Sequence, residues 1–341
     1  MASITDVEEN VNFEIVTGTG EILQDFSATG KERPWQLHKR ENLRLVELYK
    51  KAKEKDINLI TDPRLFDLEH CGDTLTFLKN AEGKKKLKTA NFCRVRMCPM
   101  CQWRRSLKMF SQVQKITDKI LEQDKSARFI FGTFTIKNVD AENLEACIQN
   151  LNKKIRYLVD PKKTFAPAKK LKQSLLGYLK AVEVTYSVKD KTYHPHLHII
   201  FAVKSTFFGS SKYYISKKEW IELWQKALNV DYKPQVDIKA IKSGTAKAVA
   251  EVAKYPVKTS SILSLSDDEA IEVLKTLTLS LNKKRFVSYG GIFKTIKQEL
   301  KLADVETDKD LVNTDMEQQE RFNAVAAILF KYNFKFGVYI C

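Results

Sequence analysis

Tyr193-His194-Pro195-His196-Leu197-His198-Ile199-Ile200-Phe201-Ala202-Val203 holds three of the five histidines in a chain of 341 residues. Successive side chains on a β-strand point to opposite faces. His194, His196 and His198 then share one face, and Leu197, Ile199, Phe201 and Val203 share the other, which suits a core. Pro195 cannot donate to a ladder and belongs at the start of a strand or on an edge, so the strand is expected to begin near His196. Two imidazoles two residues apart on a strand converge on one point, as a metal ion requires. A row of polar residues on a solvated face is the alternative; three alternating histidines beside so apolar a run weigh against it.

Leu179 to Ser187 also reads as a strand, and the short connection 188–192, with Asp190, makes the two a hairpin. Glu183 stands in the middle of that strand, flanked by Val182 and Val184. A carboxylate there is costly unless paired or bound to metal, so Glu183 is expected to face the histidines; an exposed strand position is the other reading. Upstream, residues 126–137 alternate as a strand and 140–159 as a helix, with Cys147 on its buried face. Downstream come a helix near 216–229 and a strand near 235–242. From Thr245 a further helix is expected, with Val249, Val252 and Ala253 as its apolar stripe. Lys247, Glu251, Lys254, Tyr255 and, past the break, Lys258 face away from it. Glu251 and Tyr255 are four apart and so neighbours on one face, and Pro256 puts the phenol near the helix end. Alone, they are ordinary surface residues.

The cysteines form a second constellation. Cys98 and Cys101 have the spacing that turns two thiolates toward one zinc ion, and Cys93 and Cys71 can complete a tetrahedral site, with His70 a competitor for Cys71. A redox pair or free core thiols are the alternatives. Residues 84–108 contain nine Lys or Arg and no acid. Arg94, Arg96, Arg104 and Arg105 are therefore expected to face DNA from a basic surface that the zinc holds in place, although a zinc ribbon alone does not say DNA rather than RNA or protein.

The formal net charge is +16, with 43% hydrophobic residues. Residues 1–30 carry six acids and no Lys or Arg, so the remainder is more basic still, which points to a polyanion, above all nucleic acid. No apolar run reaches the length of about 18 residues needed for a membrane span, and no secretion leader is visible, so a cytoplasmic location is expected. The expected organisation is a flexible acidic leader at 1–32, an N-terminal helix within 33–60, a Cys-rich basic zinc-ribbon-like module at 61–124, a histidine-bearing domain at 125–260 and a helical C-terminal region at 261–341. That last region contains an acidic linker at 303–320 and an aromatic stretch, Phe322–Tyr339, which packs on the main domain or on a partner. No Gly-rich phosphate loop with a following Lys-Ser/Thr is present, so nucleotide hydrolysis is not implied.

Three features occur in a fixed order: Phe134-Thr135-Ile136-Lys137-Asn138, then His194-Pro195-His196-Leu197-His198, then Glu251-Val252-Ala253-Lys254-Tyr255-Pro256-Val257-Lys258. Ahead of them stands Cys98-Pro-Met-Cys-Gln-Trp-Arg-Arg-Ser-Leu-Lys108. Over roughly residues 60–300 this set resembles the rolling-circle replication initiators of small Gram-positive plasmids, in the histidine-hydrophobic-histidine (HUH) endonuclease superfamily. The resemblance implies an α+β fold at 125–260, a central antiparallel sheet flanked by helices with the histidine strand in its middle. It implies a site-specific, metal-dependent nickase that cuts one strand at a plasmid's double-strand origin and religates it at termination. His196 and His198 would bind Mg2+ or Mn2+, with Glu183 as third ligand and His194 contributing or contacting the phosphate. Tyr255 would attack, aided by Lys254 and Lys258, leaving a 5′-phosphotyrosyl link and a free 3′-OH. Glu251 matches a Glu that activates water at termination, and no second Tyr is paired with the first. The implied partners are origin DNA, double- and single-stranded, with a host helicase and polymerase, and no membrane; self-association into a homo-oligomer is left open. Rival readings are a conjugative relaxase or transposase of the same superfamily, and a non-catalytic zinc-bearing nucleic-acid binder whose histidines form a second structural site. The zinc-like segment and the Glu251–Tyr255 spacing favour the initiator.

Overall fold

Alternating apolar strands and amphipathic helices sort the chain into two sheets with helices packed on them. A computed structural model describes residues 14–27, 29–159, 165–241, 249, 253, 257, 259–314 and 322–341. In chain order the strands are β1 (Ile15–Val16), β2 (Thr74–Asn80), β3 (Lys85–Ala90), β4 (Arg128–Thr135), β5 (Leu175–Ser187), β6 (Thr192–Val203), β7 (Val236–Ile241), β8 (Val287–Gly291), β9 (Ala324–Asn333) and β10 (Val338–Ile340). The helices are α1 (Trp35–Glu54), α2 (Asp62–Glu69), α3 (Pro99–Gln123), α4 (Ala141–Val159), α5 (Ala166–Ser174), α6 (Thr206–Gly209), α7 (Lys217–Leu228), α8 (Thr259–Leu263), α9 (Asp267–Ser280) and α10 (Ile292–Glu299). None of the described helices is long and apolar enough to cross a membrane.

The larger role falls to the sheet ordered β7-β4-β6-β5-β8, antiparallel throughout, with the histidine strand β6 at its centre. One face is closed by α4 and α7. Phe134 and Phe201 meet Trp220 of α7, and Leu144, Ile148, Leu151 and Ile155 of α4 are buried. At one end of the opposite face, Phe129 packs edge-on against Phe293 of α10, 6.3 Å between centroids. β8 approaches β5 so closely that a Cβ at Gly177 would lie 2.6 Å from the backbone oxygen of Gly290 and nitrogen of Ile292. Only glycine fits there.

β6 begins at Thr192, earlier than expected, and Pro195 lies inside it. The reason is the local ladder. β4 stops at Thr135↔His196, and pairing on that side resumes only where Tyr193 and Val139 exchange N–H···O bonds of 2.8 Å. Alternate residues of a strand donate to the same side, so the donor that Pro195 lacks faces the gap.

The second sheet runs β3-β2-β9, with β1 and β10 both on the far edge of β9, β1 parallel and β10 antiparallel. The structure here differs from the sequence reading in three places. Residues 322–340 are not helical: Ile328, Phe330 and Tyr332 of β9 are buried, and Phe77 meets the Phe330 ring edge-on. β-Branched and aromatic residues suit such a strand. Of the leader, residues 14–27 and 29–32 are tied down: β1 pairs with β9, Leu23 is buried, and Trp35 Nε1 donates to the Asp25 carboxylate at 2.8 Å.

The third difference is the acidic linker. Residues 303–312 lie along α3 as a strap. Arg104 Nε donates to Leu311 O at 2.9 Å and its terminal nitrogen to Val312 O at 2.7 Å. Lys108 pairs with the Asp308 carboxylate and donates to Asp310 O, and Gln112 Nε2 donates to Ala303 O at 3.0 Å. Glu306 accepts the N–H of Phe286 at 2.7 Å. Buried carbonyls and carboxylates need donors, and the basic helix supplies them. Of the linker expected at 303–320, residues 315–320 lie outside the described set.

Candidate active site and metal centres

In the β5–β6 hairpin Glu183 pairs in register with His196, and Ala181 with His198. Those alternations put three donors on one face of the sheet. Glu183 Oε2 lies 2.7 Å from His198 Nε2 and 3.2 Å from His196 Nε2, and the two Nε2 atoms are 3.1 Å apart. Both imidazoles are buried. Burial opposes ionisation of Glu183, but the hydrogen bonds and charge of His196 and His198 hold its carboxyl well below the ordinary carboxylate range.

Neighbouring residues aim the rings. His196 Nδ1 donates to His194 O at 3.2 Å, and His198 Nδ1 shares a 3.2 Å hydrogen bond with Thr133 Oγ1. Fixing each Nδ1 leaves each Nε2 to point inward, the usual outer support of a metal-bound histidine. The Phe131 ring stacks on His198, centroids 5.5 Å apart at 17°. Donors 2.7–3.2 Å apart, each about 2.1 Å from a common centre, subtend angles of about 80–100° there. Such a donor set would fit three neighbouring positions around an octahedral divalent ion. Two nitrogens and one carboxylate oxygen suit a divalent transition metal better than magnesium.

His194, expected among the ligands, is outside this three-donor group. It lies on the same strand face, but its Nδ1 donates to Asn138 Oδ1 at 2.7 Å, and Asn138 Nδ2 donates to Thr192 Oγ1 at 2.9 Å. Burial and the neighbouring His196 favour its neutral form. In the sequence Thr133 and Phe131 carry no local sign of a site role, and Asn138 stands only at the end of the Phe134–Asn138 motif. The alternation of β4 put Phe131 and Thr133 in one row, but only the β4–β6 register, Thr133↔His198, brings that row to the site.

Tyr255, Glu251, Lys254 and Lys258 lie outside the described residues. Their described neighbours Val249, Ala253 and Val257 are all buried. Val257 forms a parallel bridge to Val184, the residue after Glu183.

A second group of donors lies in the other half of the chain. Cys71 follows α2, Cys93 follows β3, and Cys98 and Cys101 open α3; all four are buried. Their sulfurs are 3.6 Å apart for the pairs 71–98, 71–101 and 93–101. Tetrahedral zinc at about 2.3 Å from each sulfur needs about 3.8 Å between them. Backbone N–H groups of Cys93, Arg94 and Val95 point at Cys71, Cys101 and Cys93 sulfurs at 3.2–3.3 Å. The other three thiols and burial hold the Cys71 thiol well above its ordinary value, as expected for a cluster that only a cation can fully ionise. The close pair sits on the first turn of a helix rather than on the hairpin turn of a zinc ribbon. Pro99, with no N–H to satisfy, starts that helix.

Of the four arginines expected to face DNA, Arg96, Arg104 and Arg105 turn inward and Arg94 stays exposed. Arg104 is fully buried, over the rings of Trp35 and Trp103, and Arg105 is buried and donates to Arg94 O at 3.2 Å. Arg96 donates to Leu281 O and Lys284 O and lies over Phe286. Arg94 donates to Lys309 O at 3.0 Å, although its side of the chain is exposed. The sequence shows a basic run; it does not show the strap that occupies it.

The model of the family described as "Replication protein" matches residues 84–340. A "Protein rep" of Lentilactobacillus hilgardii is 36% identical over 320 residues, covering 92% of this chain and 96% of the relative. One from Lactiplantibacillus plantarum is 37% identical, covering 92% and 97%, and one from Streptococcus pneumoniae serotype 2 is 38% identical, covering 88% and 89%. No solved structure matches.

Proposed function

Since the chain belongs to the Replication protein family, the replication initiators of plasmids, we propose that it acts as a metal-dependent nickase of the HUH type at a double-strand origin. The observation that carries this reading is the Glu183–His196–His198 face at the centre of the sheet. Among the described residues, Val257, two residues past Tyr255, is bonded to the strand that bears Glu183. Two residues of chain span no more than about 7 Å.

His196, His198 and Glu183 would hold the cation, kept in aim by Thr133 and the backbone of His194. When bound, a divalent metal supplies Lewis-acid polarisation of the scissile phosphate and stabilises charge on the leaving oxygen. The donor set favours Mn2+ over Mg2+. Tyr255 is the nucleophile. A tyrosine phenol ordinarily ionises near pH ~10, so Lys254 and Lys258 assist by stabilising the phenolate. Its oxygen bonds to phosphorus, the bond from phosphorus to the 3′-oxygen breaks, and that oxygen takes a proton to become the 3′-OH from which a host polymerase extends. The 5′-phosphate stays on Tyr255, so religation by the reverse step needs no ATP. Glu251 activates water at termination. Zinc held by the four cysteines would be structural.

Incubating the protein with manganese and a supercoiled plasmid carrying the matching origin, then running the product in SDS, tests this. The wild type should nick and form a protein–DNA adduct. Tyr255→Phe should do neither; an adduct from that variant would rule out the nucleophile assigned here. Absence of wild-type nicking with any divalent ion would favour the zinc-bearing DNA binder instead.

A further inference from the structure

The β9–β10 hairpin ends in Asn333-Phe334-Lys335-Phe336-Gly337, and both phenylalanines point into solvent, 63% and 65% exposed. Isolated exposed apolar residues are common. Two rings of this size on either side of a lysine, on a turn that cannot collapse to hide them, are not. The turn is braced: Asn333 Oδ1 accepts the N–H groups of Lys335 and Phe336 at 3.0 and 3.1 Å, and Gly337, at φ +67°, donates to Asn333 O at 2.8 Å. Both strands are anchored next to the cysteine cluster. Tyr339 OH donates to Gly72 O at 2.6 Å and Tyr332 N to Asp73 O at 2.9 Å. The Lys39 ammonium donates to Cys71 O and lies 5.9 Å from the Phe334 centroid.

The hairpin itself carries only positive side chains, and Asp73 beside it is paired with Lys39 at 2.6 Å. No Asp or Glu occurs from Phe322 to Cys341; Lys335, between the two rings, is exposed, as is Arg40 of α1, which lies near Tyr332. Exposed aromatics set among cations on a rigid support fit a strand that offers both phosphates and unstacked bases. A paired duplex offers the phosphates but not the base faces.

We infer that the Phe334–Phe336 hairpin tip is a stacking platform for the unpaired bases of single-stranded DNA, with Lys335 and Arg40 on its phosphates. The inference rests on the reading of the chain as an origin-DNA nickase and assigns that activity a site for the strand opened by cutting. Because the tip is braced before binding, little ordering is needed when the strand arrives.

The test is fluorescence anisotropy with a labelled mixed-sequence single strand of about 20 nucleotides and with its duplex, without added magnesium or manganese. Phe334→Ala with Phe336→Ala should weaken single-strand binding at least about tenfold and duplex binding less than about twofold. Tryptophan at both positions should restore it. Should the double alanine variant melt early, the single variants carry the test, each expected to lose about fivefold. Wild-type affinity in the alanine variants, an equal loss on duplex, or no rescue by tryptophan overturns the inference; ring-dependent capture of a protein in place of DNA would overturn it too. Strand binding through these rings by a protein that never nicks an origin plasmid would sink the nickase reading and leave the platform standing.

Discussion

Thr133 shows how a single hydroxyl can matter at one remove. It holds His198 Nδ1, and its loss frees the ring to turn. Thr133→Val should weaken manganese binding by about 10- to 100-fold, measured by calorimetry, while the fold melts normally. Unchanged affinity would show that packing against Phe131 alone fixes the ring. Lys180 makes a different point. It is buried, bonded to Asn152, and burial pushes its ammonium down to about 8, partly opposed by Glu306. The unfolded chain therefore binds more protons than the folded one between pH about 8 and 10.5, so stability should rise with pH across that window. Below pH 8 the full penalty, on the order of 3 kcal/mol, persists. Lys180→Met should raise the melting temperature at pH 7 and flatten that rise; a variant that melts lower at pH 7 would contradict this account. At this scale the histidine face and Glu183 were legible, because a two-residue period and an uncomfortable carboxylate are local signals. The ring supports were not, because they depend on which strands become neighbours.

Helices and strands in the middle of the chain followed their local patterns. β4, β5 and α4 each lie within a few residues of where periodicity placed them, while β6 extends four residues further back over a proline. α3 is the element whose role changed. Its Arg104 and Lys108 belong to the basic run read as a DNA-facing surface, yet a segment two hundred residues later covers them. Composition reports charge without reporting its partner. Arg104→Ala strands the carbonyls of Leu311 and Val312 in a buried setting, which costs about 2–5 kcal/mol. Urea unfolding should register that loss, and limited proteolysis should begin to cut within 303–312. If stability fell without new cleavage there, the strap would be held by its other contacts.

Across the molecule, the proposed function gives the two donor clusters separate tasks, one chemical and one architectural. The four cysteines join α2, the β2–β3 hairpin and α3, and they brace the hairpin tip through Gly72 and Lys39. Stripping a cation from them, or Cys98→Ser, should lower the melting temperature and loosen β9 and β10 in hydrogen exchange, with much smaller changes in β4, β5 and β6. Purified protein free of zinc, with β9 fully protected, would remove the structural role. Legibility was poorest here. An acidic leader and an aromatic tail look unrelated in sequence, yet Gly20 N bonds Cys341 O and Cys341 N bonds Glu21 O, both at 2.9 Å.

β2 has β3 on one side and β9 on the other, and the second pairing joins Thr76 to Leu329. On a ribosome adding about 5–20 residues per second, the hairpin emerges roughly 10–50 seconds before its missing neighbour exists. During that interval the nascent chain displays an open, apolar β2 edge, the kind of surface that chaperones shield and that otherwise seeds aggregation. Translation speed and chaperone supply are thus expected to govern the yield of this protein more than the final stability of its fold.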